Sequence, residues 1–499
     1  MLLKTFKELG KHSLIYGLGW FASSLASILL LPLYTRFLTR TDYGILEMID
    51  SMRGILIILM LAGFVPAMAR FYHSASSASE RKAVVSTAIW VTLFSATIWG
   101  VVSLVNDTYL AIWILGNKNM AFYIDVGLAI LFFEVLYIVT SNYFNLEKKS
   151  VVFVSFSLFK LILNIAANIV FVVVFELGAK GMLYGSLLSG SVVCMIITVY
   201  CFYLNGIRID FRLLLSMTKF GIPFVPSILC AFLIHNADRY LLQNYMSLSV
   251  VGIYGLGYKL PFMLNTVIIG SFGLIWNSAV IYDISKNKDA AYQYARITTY
   301  FVTIFVVAQY FLFVTAPIVV KLLMAPDYHD AYRVTQVVSI GMCFYCLHSF
   351  FTTGAFIKDK TWFLPFSYFT AALINVLLNW WLIPKYGYLA AAWNSVITYF
   401  VFSCVGFFVF RSIYSIPFEF DRLFFLFFSV LCLGFLCYFV RFDNWTVECL
   451  KEITFIILLP GVLLLGPYLK DSERRKLADG MAKARLAFAK VRLSQDGLG

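Results

Sequence analysis

Long apolar stretches recur from one end of the chain to the other, separated by short polar connections. Read against a spanning length of about 20 residues, they predict fourteen membrane helices. The expected cores are 13–35, 43–69, 83–105, 122–143, 151–175, 181–204, 221–244, 250–276, 297–320, 333–356, 362–383, 387–410, 423–440 and 453–469. The first run follows Lys4, Lys7 and Lys11, as a signal peptide would. It is too long for one, and no soluble domain follows it, so it reads as a retained helix. The fold class is therefore an all-α polytopic membrane protein.

Composition agrees: 61% of the 499 residues are hydrophobic and 13% charged, against about 25% charged in soluble domains. Alternate connections test the helix count. Twenty-six of the 39 Lys and Arg fall on the side that holds both termini, and nine fall on the other. That asymmetry is the positive-inside pattern and predicts cytoplasmic termini. The net charge of +13 is thus a topology signal and calls for no nucleic acid. No connection is long enough for a soluble catalytic domain. GxxxxGK[ST] and HExxH are both absent, so the residues suggest neither an ATPase nor a metalloprotease, and no cofactor is expected. Eight of nine cysteines lie in apolar runs, and the Cys343/Cys346 pair reads as small packing residues.

The two halves repeat at an offset of roughly 204 to 212 residues. Tyr16-Gly17 answers Phe220-Gly221, and Tyr43-Gly44-Ile45 answers Val251-Gly252-Ile253. Asn164-x3-Asn168 before Gly178 answers Asn375-x3-Asn379 before Gly387. An even number of helices separates each pair, so the copies run in parallel. This predicts two six-helix lobes, residues 1–210 and 211–415, with two further helices at 416–470 and a basic cytoplasmic tail at 471–499. Parallel-repeat transporters place their site between lobes near the midplane, and Pro32, Pro223, Pro226 and Pro261 mark expected bends. In the tail, Met481, Ala484, Phe488 and Val491 share one face, which fits a short helix on an anionic leaflet or a disordered basic tail.

Charges inside the spans are the candidate chemistry, because each costs about 2.5 to 3.5 kcal/mol on insertion. The second span carries Glu47, Asp50 and Arg53 on one side, with Asp50 and Arg53 close enough to pair. The set fits a self-neutralised contact or a cavity wall. Glu134 in the fourth span and Lys160 in the fifth fit ion-handling roles or a structural pair. Asp238 and Arg239 are about 100° apart on the seventh span, so one would hold a neighbouring helix while the other faces a cavity. Arg239 suits phosphate oxygens, and Lys259 on the eighth span would meet the same anion. Arg53, Lys160, Arg239 and Lys259 are therefore the candidate substrate ligands; Glu134, Asp238, Asp50 and Glu47 are the candidate ion-coupling acids. The Asn pairs and His235 and His348 read more simply as buried hydrogen-bonding groups, with sugar recognition or proton relay as the alternatives.

The stretches LIYGLGWFASSLASILLLPLYTRFLTRTDYGILEM, GIPFVPSILCAFLIHNADRYLLQNYMSLSVVGIYGLGYKL and LINVLLNWWLIPKYGYLAAAWNSV resemble the polysaccharide-flippase (Wzx-type) branch of the multidrug/oligosaccharidyl-lipid/polysaccharide exporter superfamily. The similarity covers the first twelve spans. It implies a V-shaped two-lobe protein of the bacterial inner membrane. Its substrate would be an undecaprenyl-diphosphate-linked oligosaccharide, moved between leaflets for O-antigen, capsule or exopolysaccharide assembly. A proton or sodium counter-ion, the phospholipid bilayer and other polysaccharide-assembly proteins are the implied partners. Asp238, Arg239 and Lys259 match residues that members of this branch commonly keep. A lipid II flippase is the nearest competing reading. A membrane-embedded glycan polymerase or ligase is disfavoured by the short connections, and a purely structural membrane component by the repeat.

Overall fold

The computed structural model describes residues 26–276, 281–358, 360–440, 442, 444–471 and 473–475. Its helices fall where the apolar runs put them. They are α1 Ala26–Phe37, α2 Arg40–Ser74, α3 Ala78–Val105, α4 Lys118–Leu146, α5 Ser150–Val174, α6 Gly178–Asn205 and α7 Phe211–Tyr245. Next come α8, which runs from Leu248–Asn265 through a π-helical stretch to Ser271–Ile275, and α9 Ala290–Leu323. The rest are α10 Ala331–Ile357, α11 Leu364–Tyr386, α12 Tyr388–Arg411, α13 Phe420–Phe439 and α14 Trp445–Leu465. Eleven of these are long and apolar enough to cross a membrane by length and composition. The others, α8, α14 and α1, occupy the remaining expected spans, with the start of α1 outside the described residues. The tail positions 481–492 also lie outside them. No strand occurs among the described residues.

Helix ends follow local chemistry. α2 opens on a reciprocal cap: Asp42 N–H donates to Thr39 Oγ1 at 3.1 Å, and Thr39 N–H donates to Asp42 Oδ2 at 2.9 Å. α7 starts ten residues earlier than the apolar pattern predicts, because Asp210 Oδ1 accepts from the backbone of Arg212 and Leu213. At Pro223, one of the expected bends, α7 tightens to 3-10 geometry over Ile222–Phe224. An unexpected break divides α2, where Ala62 (φ 43°) and Gly63 (φ 76°) are left-handed. Gly63 adopts that conformation without penalty, and its Cα position leaves only 2.2 Å between a built Cβ and Gly221 O. The break brings α2 backbone to backbone with α7.

Packing repeats at an offset of six helices. α4 and α5 both lie on α6, as α10 and α11 lie on α12, and α2 lies on α4 as α8 lies on α10. The parallel two-lobe repeat is therefore present in the packing. Large apolar side chains such as Phe94, Val199 and Phe428 stay exposed on the helix outsides, a surface suited to lipid.

The described chain forms two compact units. The first spans Met1–Lys286 and Ala316–Ser415, and leaves most of α9, a helix of the second repeat, to the other unit. The second comprises Asn287–Thr315 and Ile416–Gly499. Within this second unit, Arg422 is 4% exposed and pairs with Glu419 and Glu473, each at 3.0 Å. Its guanidinium sits 4.7 Å from the Tyr468 ring. The segment after α14 is thereby fastened to the start of α13. Removing one member of such a buried set leaves charge unpaired, at a cost of about 3–5 kcal/mol. Arg422→Ala should therefore release this segment, read as faster tryptic cleavage at Lys470 in the purified protein. Cleavage at the wild-type rate would show that the cluster does not hold it.

Candidate functional site

The cap at Thr39 fixes the rotation of α2, and the i, i+3, i+6 spacing then puts Glu47, Asp50 and Arg53 on one stripe facing α4 and α8. Arg53 is the centre of the first cluster. Its Nη1 lies 2.6 Å from Asp50 Oδ1, its Nε lies 3.1 Å from Glu134 Oε2 on α4, and its Nη2 pairs with the same oxygen. Lys160 on α5 places its Nζ 4.4 Å from the centre of the Tyr137 ring, a favourable cation–π approach. Among the described residues it makes no ion pair within 4.0 Å. Arg53, Glu134, Tyr137, Lys160 and Asn164 line one cavity of about 360 Å³, closed on the α6 side by Ser186, Ser189 and Gly190. That volume sits at the low end for ligand pockets. It has room for a compact polar group.

The second cluster surrounds Arg239. Adjacent residues were expected to face different partners, yet Arg239 Nη1 folds back to Asp238 Oδ1 at 2.8 Å. The long guanidinium stem overrides the 100° separation of the two Cα positions. Arg239 Nη1 also donates to the His235 carbonyl, and Nε lies 3.7 Å from Glu47 Oε2. The guanidinium sits 4.5 Å from the Tyr258 ring, and Tyr254 donates its hydroxyl to Asp238. Both residues are buried. In this conformation the guanidinium is held among protein groups and both residues meet Tyr254, which corrects the expectation that the two face different partners.

Lys259 on α8 lies within electrostatic reach of Glu47 and Asp50, without an ion pair inside 4.0 Å among the described residues. The eight candidate residues thus alternate in sign along one path: Lys160, Glu134, Arg53, Asp50, Lys259, Glu47, Arg239, Asp238. Four cations face four acids. The sequence placed these charges but missed the hydroxyls around them. Tyr254 and Tyr258 stand one turn apart in GIYGLGYKL, a spacing that does mark a shared helix face. Tyr399 and the serines on α5 and α6 carried no comparable signal.

The close approach of α2 and α8 comes from glycine. A Cβ built on Gly44 would lie 1.8 Å from Leu248 O, and one on Gly252 would lie 2.2 Å from Arg40 O. These are the glycines of the repeated Tyr43-Gly44-Ile45 and Val251-Gly252-Ile253 motifs, so the two copies pack against each other.

The asparagine pairs are interhelical fasteners, and they repeat too. Asn164 Nδ2 donates to Ser189 Oγ at 3.1 Å and Asn375 Nδ2 donates to Thr398 Oγ1 at 3.2 Å. Within each pair, Asn168 donates to Asn164 and Asn379 to Asn375, both at 3.1 Å. Asn375→Ala is expected to lower stability by only about 0.6 kcal/mol per lost bond, seen as a small fall in melting temperature. A fall of many degrees would contradict this role. His235 Nδ1 contacts Tyr399 Oη at 2.7 Å, and His348 Nδ1 lies 2.9 Å from the Phe402 carbonyl. Cys343 and Cys346 are buried free thiols. Among the described residues no group of His, Cys, Asp or Glu is arranged to hold a metal.

Residues 33–333 match the family described as "Polysaccharide biosynthesis protein". A sequence comparison with curated proteins returns no match. Among solved structures, the chain is similar to the lipid II flippase MurJ in its inward closed conformation (TM-score 0.71, 12% identity), over 91% of this chain and 98% of that one. It is also similar to an inward-facing multidrug resistance MATE family transporter of the MOP superfamily (TM-score 0.66, 15% identity), over 79% and 93%. A MOP superfamily transporter from Pyrococcus furiosus Vc1 aligns with TM-score 0.56 and 16% identity, over 81% and 95%. At these identities the likeness concerns the fold: the one shared by MurJ, MATE and other MOP transporters.

Proposed function

The chain belongs to the polysaccharide biosynthesis protein family, and from that premise we propose that it is a flippase for lipid-linked oligosaccharide. It carries undecaprenyl-diphosphate-linked units between the leaflets of a bacterial inner membrane by alternating access. The residue 1–210 and 211–415 lobes are the rocking bodies, and both termini face the cytoplasm. The observation that carries this reading is the cavity between α2, α4, α5 and α6, where Arg53 and Lys160 face one carboxylate. Its size suits the diphosphate, leaving the glycan and the polyprenyl chain outside it. Arg239 and Lys259 are the cations that continue the alternating path on α7 and α8, and they take part as the lobes move. Glu134, Asp50, Glu47 and Asp238 are the acids available to couple a proton or sodium ion. The protein acts without chemistry on the sugar, as part of O-antigen, capsule or exopolysaccharide assembly.

The likeness to MurJ over 98% of its chain supports a second substrate, lipid II. Depletion of the protein in its host separates the two. Undecaprenyl-linked polysaccharide repeat units should accumulate in the cytoplasmic leaflet while lipid II is still flipped. Accumulation of lipid II alone would favour the second reading, and accumulation of neither would remove both.

A further inference from the structure

The cavity holds its own competitor for an anion. Arg53 spends two of its N–H groups on Glu134 Oε2 and a third on Asp50. Lys160 meets the Tyr137 ring face and makes no ion pair among the described residues. Arg53, Lys160 and Glu134 stand on the wall with Asp50 paired to Arg53, so two cations are already matched by two carboxylates. An incoming dianion finds no spare positive charge, and it needs the Arg53 donors that Glu134 occupies.

The groups facing Glu134 leave few ways to resolve this. From α2 they are Arg53 and Asp50; from α5, Lys160; from α6, the Cys194 thiol, which lies near Lys160 and Tyr137. Lys259 on α8 reaches Asp50 but makes no ion pair among the described residues. Lys160 is the cation on the cavity wall without an ion pair among the described residues, and an incoming anion needs it, so Glu134 cannot move onto it without competing with that anion. Two anions sharing Arg53 and Lys160 repel at close range in a medium of low dielectric, and one member of such a carboxylate–anion pair takes up a proton.

We infer that the cavity binds its anion together with one proton, and that Glu134 is the group that takes it. In the empty site Glu134 is the internal anion on Arg53. When a diphosphate or comparable dianion arrives, Glu134 Oε2 leaves Arg53 and accepts a proton from solution, and the freed guanidinium donates to the incoming oxygens. No covalent bond is made or broken. By linkage, proton and anion then strengthen each other's binding. Glu134 therefore favours carrying a proton with the anion, and it opposes proton exchange against the anion. This rests on the anion-binding reading of the cavity given above.

Sulfate is a suitable probe, because its charge is constant between pH 5 and pH 8 and any pH dependence belongs to the protein. Titration calorimetry of the purified full chain, in two buffers of different ionisation enthalpy, reads the protons taken up per sulfate bound. Wild type should take up as much as one proton per sulfate bound, with affinity rising by up to about tenfold per pH unit of acidification. Glu134→Gln should bind sulfate more tightly at neutral pH, without proton uptake and with a flat pH profile. Lys160→Gln should weaken binding at every pH. Lys160-dependent sulfate binding without proton uptake in wild type would overturn the inference and leave the anion site standing. Uptake that persists in Glu134→Gln would overturn the choice of Glu134. Sulfate binding that is absent, or indifferent to Lys160→Gln, would overturn the anion site itself.

Discussion

Lys160→Glu is expected to abolish glycan export while the protein stays in the membrane at normal abundance. Lys160 lines the cavity and makes no ion pair among the described residues, so its removal breaks no salt bridge there. Reversal instead places a second carboxylate beside Glu134, where the proposed diphosphate must enter. At about 4 Å and an effective dielectric of about 20, each charge–charge term is about 4 kcal/mol. Turning one such attraction into a repulsion is worth several powers of ten in occupancy. Export of labelled glycan, normalised to membrane abundance, should fall to background. Lys160→Arg should retain a substantial part, because the charge survives. Export by Lys160→Glu at wild-type level would remove the residue from the site.

Gly252→Val is expected to produce the second large effect, this time through packing. The new Cβ would lie 2.2 Å from the carbonyl oxygen of Arg40 and 2.9 Å from Gly44 N. Both are backbone atoms, which cannot swing aside as a flexible side chain would. α2 and α8 must separate, and overpacking of this kind costs about 1–3 kcal/mol or more. Because α2 carries Glu47 and α8 carries Tyr254 and Tyr258, which contact the Asp238–Arg239 pair, separation also pulls the second cluster apart. Melting temperature should drop by several degrees and export should be lost. Gly100→Ala is the matched control: nothing lies within 4 Å of its built Cβ, so it should melt like the wild type or slightly above it. A Gly252→Val protein with wild-type melting and export would show that the contact yields freely.

The same two glycines show what was legible in the chain before its structure. Helix positions followed from apolar length, and the repeat followed from motifs such as Tyr43-Gly44-Ile45, since both are properties of the sequence itself. That the two copies of the motif would touch each other was not readable, because contact depends on how the lobes pair. The break at Ala62-Gly63 was hidden for a related reason. A single glycine in an apolar run is tolerated in a straight helix, and only its backbone contact with Gly221 explains the left-handed pair. The early start of α7 was signalled by Asp210, but its amphipathic first turns fell below the hydropathy of a span.

The site was half legible. All eight charged candidates were picked out because charge in lipid is costly, and each lies on the alternating path. Their ranking was not readable. Arg239 stood out for its match to phosphate geometry, yet its side chain folds onto Asp238 and the His235 carbonyl, a rotamer choice no spacing rule predicts. Lys160 and Glu134 looked isolated in sequence, and the packing of α4 on α6 and α5 on α6 brings them to one cavity. Hydroxyl lining from Ser186 and Ser189 had no signal, because serine is ordinary at helix–helix contacts in membranes.

The central claim is movement of a lipid-linked glycan through a path that includes this cavity. It is tested most directly by purified protein in sealed vesicles loaded with a fluorescent undecaprenyl-diphosphate oligosaccharide, with a membrane-impermeant quencher or lectin added outside. Vesicles with wild-type protein should pass the labelled lipid between leaflets faster than empty vesicles, and Lys160→Glu vesicles should match the empty ones. Equal rates in wild-type and empty vesicles would contradict the account.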